Sequence, residues 1–214
     1  MTEPPIGRRE RKKAATRQAI ADAALHLFLE RGYEAVSIRD IAEAADVSTT
    51  TVFKHFTGKE ALVFDQEESM DAQLVAAVRR RDAGQSVLDA LRQHVLDTWL
   101  PIAAHPQREE FNHLVDSTPA LRAYAERMWI RHTDTLGAAV ADELGVEHGN
   151  LACATLARFA LEVPGLVQGQ RDHRAAIEEV FDILANGWQP PGGPAAVQPV
   201  AVRAPGRART VPPV

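Results

Sequence analysis

Four consecutive hydroxyl side chains, Ser48, Thr49, Thr50 and Thr51, stand at the start of a short predicted helix that ends near His55. Ser48 suits the N-cap, because its hydroxyl can accept a hydrogen bond from a backbone amide of the first turn. Short hydroxyl side chains at a helix start can also approach base edges in a DNA major groove, where the helix amides can meet a phosphate. The segment therefore indicates either a plainly capped helix or one that contacts nucleic acid.

A second short helix and a tight turn would hold this segment at a fixed angle. Ser37, with Asp40 three residues later, forms a variant of the capping box and opens a helix over residues 38–45. A turn at residues 46–47 leads into the helix over residues 48–55. Two short helices joined in this way form a helix-turn-helix. The apolar residues expected to hold it together are Ile38, Ile41, Ala42, Val47, Val52 and Phe56.

This packing predicts which side chains of the second helix face outward. With Val52 and Phe56 turned inward, Thr49, Thr50, Phe53 and Lys54 are left for a major groove. A longer amphipathic helix over residues 12–31 would support the pair. Its apolar stripe is Ile20, Ala23, Ala24, Leu27 and Phe28.

The spacing of these residues resembles the N-terminal domain of TetR-type repressors over residues 12–65. The similarity is carried by three runs: Ala23, Leu25, Phe28, Gly32, Tyr33; then Ser37, Ile38, Asp40, Ile41, Ala42, Ala45, Val47, Ser48; then Thr51, Val52, Phe53, His55, Phe56, Lys59, Glu60, Leu62. Three kinds of DNA contact are implied by this resemblance. They are backbone contacts near Ser37 and Arg39, base contacts by Thr49, Thr50 and Phe53, and phosphate contacts by Thr51, His55 and Lys59. Phe53 stands where the family more often has tyrosine, so it lacks a phenolic hydroxyl for a phosphate and favours a thymine methyl.

Bulk composition and charge favour a globular DNA-binding protein over other classes. Apolar residues make up 45% and charged residues 25% of 214, as in ordinary folded domains. Residues 1–60 carry 10 basic and 9 acidic side chains, with six of the basic ones between residues 8 and 17, whereas residues 61–189 carry 11 against 20. One end of the chain is therefore suited to a polyanion. The basic run at residues 8–13 fits a flexible arm or a minor-groove contact equally well.

Several other classes are not indicated. The longest apolar stretch, residues 151–167, is interrupted by Arg158, Glu162 and Pro164, which predicts no membrane span. The start of the chain lacks a secretory pattern, so we expect a cytoplasmic protein. Cys153 is the single cysteine, and the histidines show no metal-ligand spacing, so we expect neither metal nor cofactor. No nucleophile or phosphate-loop motif indicates an enzyme.

Helical periodicity continues to residue 188 and predicts an all-α fold of about nine helices. Beyond the three N-terminal helices, the expected helices cover residues 59–81, 86–105, 108–117, 119–144, 147–168 and 172–186. The predicted organisation is a flexible basic arm (1–11), a helix-turn-helix domain (12–58), a larger ligand-binding and dimerisation domain (59–188) and a disordered Pro-rich tail (189–214). The last 25 residues hold seven prolines and no acidic group, which is typical of disorder.

The resemblance also implies a ligand pocket among the middle helices and a dimer formed by the last two. The candidate pocket residues are His94, Trp99, Phe111, His113, Trp129 and Phe159, although aromatic side chains fill ordinary cores more often than they contact a ligand. Apolar faces on the last two helices suit a partner, and their residues are Leu151, Leu156, Phe159, Val163, Ile177, Val180, Phe181 and Leu184.

These features together predict a homodimeric regulator, most simply a repressor, that binds a palindromic double-stranded operator. A small-molecule effector, unidentified from the sequence, would release it. The alternative is a helix-turn-helix protein without such a ligand, which organises DNA or answers to a protein partner. A filled core at Trp99 and Trp129 would favour that alternative, and an enclosed cavity would disfavour it.

Overall fold

The fold consists of nine α-helices and one 3-10 turn within residues 7–187, which are the residues that this computed structural model describes (for residue 68, the backbone only). The helices are α1 (Arg8–Arg31), α2 (Ile38–Ala44), α3 (Thr49–His55), α4 (Glu67–Arg79), α5 (Val87–Ala103), α6 (Arg108–Ser117), α7 (Pro119–Leu144), α8 (Leu151–Leu166) and α9 (His173–Asn186). The 3-10 turn lies at Glu60–Leu62. No strand occurs over this range, so the all-helical prediction is confirmed.

The N-terminal end differs from the predicted arm. Helix α1 already begins at Arg8, and the amide of Arg11 donates to the carbonyl of Gly7 at 3.0 Å. Arginine and lysine are good helix formers, so this basic run extends the helix. The prediction of a flexible arm through residue 11 is therefore wrong for residues 8–11. Residues 1–6 and the predicted tail at 189–214 lie outside the described part of the chain.

A first core forms where α1 packs against α2 and α3. The predicted stripe on α1 faces it, and Val52 and Phe56 lock the end of α3 into it. Leu114 of α6 and Leu121 of α7 belong to the same core. Helix α6 packs on α1 and α7 packs on the 3-10 turn, so two later helices complete the core that supports the helix-turn-helix.

A second core lies among α4, α5, α7, α8 and α9. Leu91, Leu136 and Val140 are fully buried at its centre, and α7 packs against both α4 and α8. Two ion pairs join α4 to α7, namely Glu67 with Arg131 and Arg79 with Asp142, and Nδ1 of His132 contacts the Asp71 carboxylate between them. Residue numbers rise together in the two pairs, so α4 and α7 run in the same direction.

The predicted long helix from Lys59 to residue 81 is wrong, because the chain breaks before α4. Ala61, Leu62 and Val63 are three consecutive buried residues that pack into the first core, and they adopt the tighter 3-10 turn. Immediately after them, the carbonyl of Asp65 accepts from Arg17 of α1 at 3.0 Å. The regular helix starts only at Glu67.

Candidate nucleic-acid interface

Helix α2 is fixed at its start by a complete capping box. The hydroxyl of Ser37 accepts from the Asp40 amide at 3.2 Å, while the Asp40 carboxylate accepts from the Ser37 amide at 2.8 Å. Hydrogen bonds from Ser37 hold the pKa of the Asp40 carboxyl below its ordinary value. The Ser37 hydroxyl is thus already engaged, whereas Arg39 is exposed beside it. Of the two side chains predicted at the DNA backbone, Arg39 is the freer.

The turn between α2 and α3 depends on one residue in the left-handed region. Asp46 has a φ of 51°, and the next amide, that of Val47, donates back to the carbonyl of Ala42 at 2.9 Å. Aspartate tolerates this conformation better than most residues other than glycine. The tight turn brings α3 across α2 without a longer loop.

Helix α3 begins with the cap that the sequence predicts at Ser48. Its hydroxyl accepts from the amide of Thr51 at 3.1 Å and lies 2.9 Å from the Thr51 hydroxyl. The cap reading of Ser48 is therefore confirmed. Since the Thr51 hydroxyl shares this bond, a phosphate contact by Thr51 would have to compete with Ser48.

The two faces of α3 separate as the pattern predicts. Val52 and Phe56 are 1% and 3% exposed, whereas Phe53 is 60% exposed. Thr49, Thr50 and Lys54 are exposed on the same outward side. Two hydroxyls, an aromatic ring and an ammonium group make a surface that can donate to base edges, contact a thymine methyl and attract a phosphate.

Lys59 is not part of the outward face of α3, because its side chain is directed to Tyr33 in the segment between α1 and α2. Its ammonium donates to the carbonyl of Tyr33 and sits 4.1 Å from the centre of the Tyr33 ring. Burial lowers the pKa of Lys59, and Glu34 and Glu60 partly offset that effect. The predicted phosphate contact by Lys59 would therefore use an ammonium group that already holds the α1–α2 connection.

His55 closes α3 in a position where a positive charge is disfavoured. Burial lowers the pKa of its imidazole, and the charges of Arg17 and Lys13 lower it further. In the free subunit these effects favour the neutral imidazole, and the negative charge of a phosphate placed beside His55 would raise its pKa again.

The six pocket candidates do not converge in the subunit. Trp99 packs in the second core with its ring edge against His173, Phe111 sits at the first core against Phe64, and Trp129 contacts His132. His94 is half-buried on α5, whereas His113 and Phe159 are exposed on α6 and α8. Two open depressions on the described surface, one beside Arg81 and Glu143 and one beside Asp172 and Glu179, include none of the six. Their joint role as a pocket stays a prediction.

The predicted dimer stripe is wrong in three positions. Val163, Ile177 and Phe181 are fully buried in the second core, within the subunit itself. Leu156, Val180 and Leu184 are partly buried against that core. A partner could not reach the first three, because α5, α8 and α9 already cover them. Leu151 and Phe159, in contrast, are 80% and 47% exposed.

A polar cluster between α4 and α7 was missed at the sequence level. Glu67 accepts from Tyr124 at 2.7 Å and from Arg131 at 3.1 Å, and these bonds keep its pKa below the ordinary value although burial opposes them. One turn later, Nδ1 of the fully buried His132 lies 2.6 Å from the Asp71 carboxylate. The sequence did contain a signal for this cluster. His132 lies four residues after Met128 and four before Leu136, so it is a polar residue on the buried face of α7.

Two negative findings bound the chemistry of the described residues. Between residues 7 and 187, no helix combines the length and hydropathy needed to cross a bilayer. Within that same part of the chain, no three histidine, cysteine or carboxylate side chains lie close enough to hold a metal ion.

Comparison with known proteins defines the class. A family model described as bacterial regulatory proteins of the tetR family matches residues 20–65. The HTH-type transcriptional regulator Mb3439c of Mycobacterium bovis is 31% identical over 171 residues, which cover 76% of this chain and 83% of that protein. TcmR of Streptomyces glaucescens, an HTH-type transcriptional regulator, is 39% identical over 85 residues, and the match spans 40% of this chain and 38% of TcmR.

The solved structures agree on the fold. SmeT, the repressor of the Stenotrophomonas maltophilia multidrug efflux pump SmeDEF, has been solved in complex with triclosan. That structure matches 86% of this chain and 99% of its own with a TM-score of 0.53 at 18% identity. The tetR family model and the 31% identical Mycobacterium bovis regulator show that the chain belongs to the TetR family of bacterial transcriptional regulators.

Proposed function

We propose that this regulator is a homodimer that binds a palindromic operator through α2 and α3 and is released from it by a small-molecule effector. The observation that carries the proposal is the division of α3 into a locked inner face and an exposed outer face of Thr49, Thr50, Phe53 and Lys54. A helix presented in this way fits a major groove, and two copies related by a two-fold axis read half-sites about 34 Å apart. Operator DNA places its action in the cytoplasm.

The exposed apolar surface of α8 and α9 supports the dimer. Leu151, Phe159, Leu166 and Ile183 are large hydrophobic side chains that remain exposed in the subunit. Contiguous exposed apolar patches mark protein interfaces, and a two-fold pair would bury the same patch on both copies. We therefore keep Leu151 and Phe159 from the predicted interface, flanked by the partly buried Leu156, Val180 and Leu184.

An effector site is proposed in the larger module, because SmeT, a protein with the same fold, binds triclosan. We divide the chain into a DNA-binding module and a ligand-binding and dimerisation module. The boundary is better drawn after Val63 than at residue 58, since residues 61–63 pack in the first core. An effector shifts the equilibrium only if it binds the released geometry more tightly than the DNA-bound one.

A second candidate is a DNA-binding protein without a small-molecule ligand. It is favoured by Trp99, which is buried in the second core among apolar side chains. A protein partner would then take the place of the effector.

The test begins with the purified chain and a pool of random duplexes. Repeated selection should recover a palindrome, and the protein should bind it more tightly than unrelated DNA. A metabolite screen for release then separates the two candidates, because only the first predicts that a small molecule dissociates the complex. Failure to enrich any sequence would overturn the first candidate, and failure to bind any duplex at low salt would overturn both.

A further inference from the structure

Arg17 of α1 joins three segments of the chain that the DNA-binding surface depends on. One Nη atom donates to the carbonyl of His55, the last residue of α3, and the other donates to the carbonyl of Asp65 at 3.0 Å. Its guanidinium carbon also lies 4.3 Å from the centre of the Phe56 ring. The bonded partners are 38 and 48 residues away in sequence.

The fork supplies a directional restraint that the apolar packing of α3 lacks. Val52 and Phe56 keep α3 against the first core, but hydrophobic contact is non-directional and defines the angle of the helix less sharply than a hydrogen bond does. The guanidinium is planar and rigid, so two simultaneous bonds fix both the distance and the angle between their acceptors. Carbonyls at the end of a helix have no partner within the helix, and Arg17 satisfies one of them.

We propose that Arg17 is a positioning residue for DNA recognition, one that sets the orientation of α3 by clamping its carboxyl end to the residue ahead of α4. The proposal rests on α3 being the recognition helix. Asp65 is followed two residues later by Glu67, which Arg131 and Tyr124 hold to α7. The clamp therefore fixes α3 to the part of α4 that is anchored in the larger module.

Arg17→Lys tests this role directly in the full-length chain, because lysine keeps the positive charge but cannot bridge two carbonyls in a fixed plane. The matched control is Arg31→Lys, an exposed arginine at the end of the same helix that pairs with Glu30. Affinities are measured by fluorescence anisotropy for the selected operator and for an unrelated duplex of equal length, each over a series of salt concentrations.

We expect Arg17→Lys to weaken operator binding about tenfold, the loss of one base-edge contact, and to leave unrelated DNA within about twofold. The salt slope should match the wild type, as should every value for Arg31→Lys. If Arg17 instead contacted a phosphate directly, the neutral variant Arg17→Gln would lose the same affinity for both DNAs. The slope of log affinity against log salt concentration would then be shallower by about 0.9. That result overturns the proposal, and so does unchanged operator affinity in Arg17→Lys.

A measurement on the wild-type protein tests the clamp without requiring that a variant folds correctly. The Nη protons of Arg17 should give separate, slowly exchanging NMR signals that do not move when operator is added, since their acceptors are protein carbonyls. Signals that shift on DNA addition, or that are averaged in the free protein, contradict the clamp. If the wild type selects no operator at all, the proposed function itself is wrong. If the wild type binds an operator and Arg17→Lys binds it equally well, only the role of Arg17 is wrong.

Discussion

Phe53 on α3 and Phe56, the residue just after its end, should respond differently to truncation. Phe56 is 3% exposed in the first core, and Phe→Ala at such a site removes both burial and packing, so Phe56→Ala should lower the free energy of unfolding by about 3–5 kcal/mol. Phe53 is 60% exposed, and Phe53→Ala should change that free energy by less than about 0.5 kcal/mol. Loss of an apolar contact of about 1 kcal/mol to a thymine methyl would weaken operator binding about fivefold.

Urea unfolding and anisotropy distinguish the two outcomes. With a slope of about 2 kcal/mol per molar urea, Phe56→Ala should move the midpoint down by about 1.5–2.5 M, compared at one protein concentration because a dimer is concentration-dependent. Phe53→Ala should keep the wild-type midpoint and relax the base preference at one position of each half-site. The inference would be refuted if Phe53→Ala destabilised the fold as much as Phe56→Ala, or if it left the selected sequence unchanged.

Three further predictions concern the turn, a buried histidine and the subunit interface. Asp46→Ala should be less stable than Asp46→Gly by about 1–2 kcal/mol in urea unfolding, because alanine is strained at a φ of 51°; equal stabilities would contradict that strain. Burial lowers the pKa of His94, and Asp97 partly opposes that effect, so the unfolded chain binds more protons than the folded one. The free energy of unfolding should therefore fall as the pH drops through about 6.5, the ordinary pKa of histidine. His94→Gln should reduce this fall, and an identical fall in the variant would contradict the role of His94. Leu151→Lys combined with Phe159→Lys should give monomers with unchanged helicity in sedimentation, and persistent dimers would exclude this face as the interface.

The helix-turn-helix was predictable because its signals are local. Caps at Ser37 and Ser48 and the inward positions of Val52 and Phe56 follow from spacing within about twenty residues, and the structure has them as expected. The bounds predicted for α6 and α7 also agree with the structure, and for α7 the local signals are Pro119 at its first position and Gly145 just after its end. Local sequence signals were therefore sufficient to predict the helices that present the outer face of α3.

The wrong predictions concern residues whose burial the sequence indicates without indicating which part of the protein covers them. An apolar stripe on α9 predicts that Ile177 and Phe181 are covered, yet periodicity cannot distinguish a partner subunit from the chain's own core, and the core covers them. The break before α4 coincides with the burial of residues 61–63 in the first core and with a hydrogen bond between Arg17 and Asp65, residues 48 apart, and no local pattern reveals either contact. A separation of 38 residues likewise concealed the contact between Arg17 and His55 at the end of α3.

Hydroxyl-radical footprinting of the selected operator, together with the mass of the complex in solution, tests the central claim most directly. Two copies of α3 related by a two-fold axis should protect two symmetric segments centred about 10 base pairs apart, with two subunits on each duplex. A single protected segment with one subunit bound would contradict the account, whatever the affinity of the complex.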